Sequence, residues 1–417
     1  MTDHDPTSDD DDAPTAAQAA EQARALRGAA RLALEATTGL TDLVEAVHAR
    51  IATLPGFTAP ADGRTRGITG LVYKTIRGVT RAVGGSVDAL LPVLAPLLDP
   101  RPGAEPALPS PEREAVLAAL NGVLGDHLAR TANPLAIRMA LRRDGRALVP
   151  RRDALAAALP DAGERVLVLV HGLCMNDLQW RRDGHDHGAA LAASLGFTPL
   201  YLHYASGLHV STNGRALAHL LEQLLAQWPR PVARFAIVGH SMGGLVARSA
   251  LHYGRAAGLH WADRLDDLAF LGTPHHGAPL ERAGQDIHML LDATPYAGPF
   301  GRLARLRSAG ITDLRHGNVV DEDWLGADRF TGATDRRLAI PLPAGPRCFA
   351  LAGTLAGAGK ALGDGLVPVA SALGKHRLAR RTLKFAPSHQ RVVQDTNHMQ
   401  LLSSPAVFEQ LRDWLRH

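Results

Sequence analysis

The serine of the stretch VGHSMGGLVARSA stands between glycines, at the end of an apolar run. The pentapeptide Gly239-His240-Ser241-Met242-Gly243 fits the pattern G-x-S-x-G, which is typical of a nucleophilic serine on a sharp turn from a strand to a helix. FAIV before it predicts the strand, and GLVARSALHYG after it predicts the helix. Ser241 is therefore the predicted nucleophile, and Gly239, His240 and Gly243 are predicted to support the turn. An ordinary glycine turn is the alternative.

Two stretches later in the chain supply partners for a nucleophilic serine. Such a serine needs a base that takes its proton and a carboxylate that orients the base. RVVQDTNH places His398 in a loop after a predicted strand, and GDGLVPV places Asp364 among small residues that let a carboxylate reach an imidazole. We predict His398 as the base and Asp364 as the acid. The alternative acids are Asp321, Asp323 and Asp395.

The stretch VLVLVHGLCMNDLQW predicts a buried strand followed by a loop that completes an acyl-transfer site. Such a site needs N–H donors that stabilise the oxyanion of the tetrahedral intermediate. We predict the backbone N–H groups of Leu173 and Met242 in this role, with Gly172 allowing a close turn. His171 is predicted to brace the loop, with an acid–base role as the alternative. Cys174 is predicted to pack against it, with a reactive thiol as the alternative.

The chain resembles the bacterial lipase/esterase branch of the α/β-hydrolases, which includes the GPI inositol-deacylase-like hydrolases. The resemblance spans residues 160–417 and is carried by VHGL, VGHSMGGLVAR, LGTPHHGAPLERAG, GDGLVPVASA and NHMQLLSSP. It implies the α/β-hydrolase fold, a triad in the chain order Ser, Asp, His, and hydrolysis of carboxylic esters through an acyl-enzyme. It implies a small-molecule or lipid ester as substrate and no cofactor.

Other functions share these residues. The same triad serves thioesterases, amidases and acyltransferases, because these enzymes share the acyl-enzyme and differ in the pocket for the acceptor. An inactive hydrolase fold that only binds a partner is a further alternative. Such a module is expected to lack a member of the triad, and this sequence has all three.

Potential metal ligands lie close together in WRRDGHDHG: Asp183, His185, Asp186 and His187. Closed metal sites usually recruit ligands from separate segments, so no metal site is predicted here. Asp186 is predicted to cap the helix that follows. His275 and His276, in GTPHHG, are predicted to brace a turn.

From about residue 160, short apolar runs alternate with helical segments. Apolar strands between helices predict a parallel sheet covered on both faces, with functional loops at the carboxyl ends of the strands. The predicted fold class is α/β: an α/β-hydrolase fold with a mainly parallel central sheet, a preceding helical region and an inserted cap or lid. The candidate strands are RVLVLVHG, TPLYLHY, FAIVGHS, LAFLGTP, CFALAGT and RVVQDTNH.

Composition predicts how the chain is divided. Residues 1–20 are acidic and polar, which is typical of a disordered tail. Residues 21–150 are predicted to be a helical region, and 160–417 the catalytic domain, in which 278–345 are predicted to form the cap or lid. The stretch 66–83 is amphipathic, with basic residues on one side. It predicts either docking on the protein's own core or peripheral contact with an anionic membrane.

Bulk composition narrows the class of partner. The chain has 45 basic and 41 acidic residues among 417, a small excess that does not predict a nucleic-acid partner. Two cysteines exclude a disulfide framework.

The N-terminus has no basic start followed by an apolar stretch, so no signal peptide is predicted. No run of about 20 apolar residues predicts a membrane span. We therefore expect a cytoplasmic protein.

Overall fold

The computed structural model describes residues 111–278, 308–326, 337–355 and 363–416. The predicted acidic tail, the amphipathic stretch 66–83 and the greater part of the predicted cap lie outside these ranges. The elements described below belong to one compact unit, Leu108–Thr131 with Ala136–His417. No helix in the described ranges is long and apolar enough to cross a membrane.

An eight-stranded sheet forms the centre of the described structure. Its strands are β1 (Ala140–Arg143), β2 (Arg146–Ala147), β3 (Arg165–Val170), β4 (Phe197–His203), β5 (Arg234–His240), β6 (Asp267–Leu271), β7 (Arg347–Gly353) and β8 (Gln390–Val393). They lie side by side in the order β2-β1-β4-β3-β5-β6-β7-β8. β1 is antiparallel to both of its neighbours, and all pairs from β4 to β8 are parallel. The predicted mainly parallel sheet is confirmed.

The inner strands have the composition that a doubly covered parallel sheet requires. β3 reads RVLVLV and β5 reads RFAIVGH, and every residue after the first arginine of each is buried. Val, Ile and Phe favour the extended backbone. A strand that is apolar on both faces must be covered on both, so these strands occupy the middle of the sheet.

Helices accompany the strands along the chain. They are α1 (Pro111–Arg130), α2 (Arg152–Ala158), α3 (His187–Leu195), α4 (Val210–Ala226), α5 (Met242–Ala256), α6 (Ala309–His316), α7 (Val369–Ala372) and α8 (Pro405–Leu415). α4 and α5 pack closely, since a Cβ at Gly214 of α4 would lie 2.2 Å from Oγ of Ser249 in α5. Only glycine allows the two helices to approach this far.

The sheet extends N-terminal of residue 160, the predicted start of the catalytic domain. β1 and β2 form a hairpin whose turn residues, Asp144 and Gly145, have φ values of 51° and 74°. Two successive positive φ values are those of the type I′ turn, whose twist matches that of a two-stranded hairpin. β1 then pairs with β4 and continues the sheet.

Parallel pairing aligns the carboxyl ends of the central strands at one edge of the sheet. Val170 pairs with Gly239, His240 with Leu271, and Leu271 with Leu351. The loops after β3, β5, β6 and β7, and the loop after β8, therefore emerge near one another. These loops carry the residues with predicted chemistry.

Candidate active site

Ser241 lies on a sharp turn between β5 and α5. Its φ of 54° and ψ of −124° fall in a region that L-amino acids rarely adopt. Its N–H donates to the carbonyl of Leu271 at 2.8 Å, and its own carbonyl accepts from the N–H of Gly244 at 3.1 Å. An ordinary glycine turn would place the positive φ on a glycine, whereas here the strained conformation falls on the serine.

Glycines allow the close packing around this turn. A Cβ at Gly239 would lie 2.6 Å from the backbone of α5, and a Cβ at Gly243 would lie 2.1 Å from the carbonyl oxygen of Val170. A Cβ at Gly172, in the loop after β3, would lie 3.0 Å from Cβ of Ser241. The turn and the loop after β3 therefore touch backbone to backbone, as the predicted arrangement requires.

Asp364 and His398 are joined by a buried hydrogen bond. Nδ1 of His398 lies 2.8 Å from Oδ2 of Asp364, and both side chains are 1% exposed. Oδ1 of Asp364 accepts from the N–H groups of Leu366 at 3.0 Å and Val367 at 2.8 Å. The N–H of His398 also donates to the carbonyl of Asp364 at 3.0 Å. Both the carboxylate and the imidazole are thus held in one orientation.

The imidazole of His398 lies beside the serine turn. Nε2 of His240 is 3.0 Å from the carbonyl oxygen of His398, and the two rings lie 4.7 Å apart. A Cβ at Gly272 would lie 3.2 Å from Cε1 of His398. In the described part of the chain, Nε2 of His398 is buried without a hydrogen-bond partner, so it makes no hydrogen bond to Ser241. Such bonds often form only when substrate binds.

The N–H groups predicted to bind an oxyanion belong to buried residues, Leu173 and Met242. Among the described residues, neither N–H group has a backbone acceptor in a turn or loop. Met242 is the first residue of α5, where N–H groups have no partner within the helix and the helix dipole is positive. The N–H of Met242 is therefore suited to developing negative charge.

Polar side chains beyond β4 hold the loop of residues 171–176, which we call the oxyanion loop. The hydroxyl of Tyr204 donates to the carbonyl of His171 at 2.8 Å, and the ring of Tyr204 stacks on that of His171 at 4.3 Å. Oγ of Ser206 accepts from the N–H of Cys174 at 2.9 Å. Tyr204 and Ser206 could not be predicted from the sequence, because neither belongs to a motif and both act from the segment after β4.

Buried groups of the oxyanion loop and the serine turn are held in their neutral forms. Burial lowers the pKa of His171 to about 3 and lowers the pKa of His240 well below its ordinary value. Burial also raises the pKa of Cys174 to about 12. The imidazoles of His171 and His240 are therefore uncharged near neutral pH, which suits bracing roles, and Cys174 stays a thiol rather than a nucleophilic thiolate.

The alternative acids have other partners. Asp321 forms a salt bridge with Arg215 at 2.6 Å. Asp323 accepts from backbone N–H groups, including those of Val319 and Leu338. Asp395 is exposed in a turn with a φ of 51°. Within the described ranges, the carboxylate that reaches His398 is that of Asp364.

The crowded polar residues before α3 have structural contacts. Oδ1 of Asp186 accepts from the N–H of Ala189 at 3.0 Å, which confirms the predicted helix cap. Nε2 of His185 faces Nδ1 of His187 at 2.8 Å, and Oδ2 of Asp183 accepts from the hydroxyl of Ser403 at 2.9 Å. These side chains are thus engaged with one another and with the protein.

A second polar group, which no sequence motif indicates, adjoins the oxyanion loop through Asp177. Nη1 of Arg142 is 2.6 Å from Oε2 of Glu114 and 3.2 Å from Oδ1 of Asp177, and Nδ1 of His203 is 3.0 Å from the same oxygen of Asp177. We call these four residues the buried ion cluster. Glu114, Asp177 and His203 have the spacing of metal ligands. The guanidinium of Arg142, however, already supplies the positive charge between the carboxylates.

The loop after β6 is braced by its histidines. Nε2 of His276 is 2.9 Å from the carbonyl of Gly374, and its N–H donates to Oγ of Ser371 at 3.1 Å. His275 is buried beside Arg248, with Nδ1 3.4 Å from the guanidinium. Neither residue contacts His398 among the described hydrogen bonds, in keeping with the predicted turn-bracing role.

Residues 161–349 match the family model of a PGAP1-like alpha/beta domain. Comparison with curated proteins finds no match. Similar solved structures include a mature Bacillus licheniformis lipase, with 21% identity, a TM-score of 0.38, and coverage of 60% of this chain and 91% of that one. A Pyrococcus furiosus esterase has 14% identity, a TM-score of 0.36, and coverage of 61% and 81%. A Streptomyces coelicolor thioesterase of prodiginine biosynthesis has 16% identity, a TM-score of 0.34, and coverage of 62% and 91%.

The family match and the architecture lead to the same assignment. The sheet is mainly parallel, and a strained serine stands between its central strand β5 and the helix α5. The resemblance seen in the sequence is thereby confirmed. Residues 161–349 are similar to a PGAP1-like α/β domain, and the described sheet and helices have the α/β architecture that the sequence predicts.

Proposed function

We propose that this protein is a serine hydrolase that cleaves carboxylic esters with an apolar acyl group. The observation that carries the proposal is the buried 2.8 Å contact between Asp364 and His398, beside the strained turn of Ser241. A buried imidazole held by a carboxylate on one nitrogen, with its other nitrogen unpartnered, is arranged to accept a proton. The match to a PGAP1-like α/β domain supports this proposal.

The proposed acylation step uses all three side chains. Oγ of Ser241 attacks the ester carbonyl while Nε2 of His398 takes the hydroxyl proton, and Asp364 stabilises the resulting imidazolium. The carbonyl oxygen becomes an oxyanion that accepts hydrogen bonds from the N–H groups of Leu173 and Met242. The tetrahedral intermediate collapses, His398 returns the proton to the leaving alcohol, and the acyl group stays on Ser241.

Deacylation repeats the sequence with water. His398 takes a proton from a water molecule that attacks the acyl carbonyl, and the same two N–H groups bind the second oxyanion. Collapse of this intermediate releases the carboxylic acid, and the proton on His398 returns to Oγ of Ser241. The protein thus ends the cycle in its starting protonation state.

Replacement of the proposed nucleophile tests this function. Ser241→Ala removes the attacking oxygen, and turnover of short p-nitrophenyl esters should fall by roughly 10⁵-fold or more. Circular dichroism and the thermal unfolding midpoint should stay close to those of the parent, because the change removes one oxygen atom. Ser194→Ala is a matched control, since Ser194 is exposed and its hydroxyl hydrogen-bonds within its own helix, α3. Full activity of Ser241→Ala would overturn the proposal.

A further inference from the structure

A cavity of about 460 Å³ lies next to the loop after β6. Its walls come from α5, from the loop after β6, from the segment that precedes β7 and from residues 380–384. Ser241, Asp364 and His398 do not line it. This volume is in the range of small-molecule sites in proteins, which is about 300–1,000 Å³.

The charges around this cavity are mostly positive. Among the described residues, one carboxylate lines it, that of Asp323, and its oxygens accept from the backbone N–H groups of Val319, Val320 and Leu338. The negative charge of Asp323 is therefore already engaged with the backbone. The cationic lining residues are Arg248, Arg337, Arg380, Arg381 and Lys384.

Arg248 is the most informative of these residues. It is 6% exposed, and its guanidinium contacts the carbonyl of Ile340 at 2.7 Å and Nδ1 of His275 at 3.4 Å. Its Nε is buried without a hydrogen-bond partner, as is Nε2 of His275. No carboxylate in the described ranges lies within salt-bridge distance of it. Burial lowers the pKa of Arg248 to about 10, so the group remains charged at neutral pH.

A buried guanidinium without a counter-ion is costly, and a bound anion offsets that cost. Phosphate and carboxylate groups match the planar donors of arginine. The remaining wall is largely apolar, with Ile340, Leu342 and Leu383 among its residues. We propose that this cavity binds a small amphiphilic anion, whose phosphate or carboxylate head contacts Arg248 and whose short apolar body lies against this wall.

Thermal unfolding with three six-carbon probes tests the proposal. Hexyl phosphate, hexanoate and hexanol are added separately at constant ionic strength. At least one anion should raise the unfolding midpoint by several degrees, since a ligand that binds only the folded state stabilises it. Hexanol should not. The anion with the larger shift identifies the preferred head group. No shift with either anion, or an equal shift with hexanol, would overturn the proposal.

Variants place the binding in this cavity rather than in the ester site. Arg380→Gln combined with Lys384→Gln changes two exposed residues at the rim, so this protein should fold and bind the anion at least about tenfold more weakly. Arg377→Gln is the control, because Arg377 is exposed nearby and does not line the cavity. Arg248→Gln should abolish binding, and Ser241→Ala should not change it. If the double rim variant binds the anion with parental affinity, the assignment of binding to this cavity is contradicted, even if Arg248→Gln fails to fold.

Discussion

Asp364 fixes the orientation of His398 through contacts on both of its oxygens. Oδ1 is held by two backbone N–H groups, and Oδ2 faces Nδ1 of the imidazole. The carboxylate cannot rotate without losing these bonds, and a carboxylate that faces Nδ1 favours the tautomer that carries its proton there. The lone pair of Nε2 is then the one available for the hydroxyl proton of the serine.

Asp364→Asn tests whether this orientation matters. The amide can present its NH₂ group to Nδ1 and so favour the wrong tautomer of His398. We expect kcat to fall by about 10⁴-fold, which is the loss that this replacement causes in other Ser-His-Asp triads, and KM to change little. Steady-state kinetics on a p-nitrophenyl ester measures both constants. Asp395→Asn, in an exposed turn, should retain parental kinetics, and a loss below tenfold in Asp364→Asn would argue against the assigned role.

The residues of the proposed triad can be predicted from the sequence because each follows a predicted strand in a recognisable stretch. Ser241, Asp364 and His398 can all be named from such stretches. Tyr204 and Ser206 cannot, since they hold the oxyanion loop from the segment after β4 and stand in no motif. Their contacts with the oxyanion loop depend on the register of the strands within the sheet, and local sequence patterns do not specify that register.

The elements around the oxyanion loop are joined by the buried ion cluster. Arg142 belongs to β1, His203 to β4 and Glu114 to α1, while Asp177 begins the short 3₁₀ turn Asp177–Trp180 after the loop. The side chains of Glu114, Asp177 and His203 are each at most 5% exposed. The cluster therefore links three elements to the turn that follows the oxyanion loop through polar side chains that are largely shielded from water.

Arg142→Met tests the strength of this link. The change leaves two buried carboxylates without their cation, and breaking a buried ion pair from one side costs about 3–5 kcal/mol in free energy of unfolding. Urea unfolding monitored by tryptophan fluorescence measures the loss. Arg151→Met removes an arginine whose pair with Asp153 is exposed, and it should unfold at the parental urea concentration. Equal stability of the two variants would show that the cluster is not stabilising.

At the level of elements, periodicity and composition predict the parallel strands, because their apolar runs are nearly continuous. The hairpin of β1 and β2 escapes prediction, since ALRRDGRA is short and mostly polar. Its place in the sheet comes from antiparallel pairing with β4, a contact between distant parts of the chain. The sequence therefore predicts a start of the catalytic domain near residue 160, after this hairpin, because local patterns do not reveal such a distant contact.

Several histidines are buried in their neutral form, and their burial makes the free energy of unfolding of the protein depend on pH. Burial lowers the pKa of His171 to about 3 and of His187 to about 4, and lowers the pKa of His240 and His275 well below the ordinary value. In the unfolded chain these residues take up protons near pH 6.5. Below that pH the unfolded state therefore binds more protons than the folded state.

Stability should accordingly be greatest above about pH 6.5 and fall as the pH drops toward 4. Each buried neutral histidine contributes up to about 1.4 kcal/mol per pH unit in this window. Urea unfolding at pH 7.5, 5.5 and 4.5 measures the slope. His171→Gln should make the slope shallower than in the parent, whereas His260→Gln, at an exposed position, should leave it unchanged. A slope that is the same in all three proteins would refute this origin of the pH dependence.

The proposed mechanism requires that Ser241 is a nucleophile activated by His398 and Asp364. Reaction with an alkyl fluorophosphonate, followed by mass spectrometry of the intact protein and its peptides, tests it most directly, because the reagent forms a stable bond only with an activated serine. We predict a single adduct on the peptide that contains Ser241, much slower labelling in Asp364→Asn, and none in Ser241→Ala. An adduct on another serine, or equal labelling of Ser241→Ala, would contradict the account.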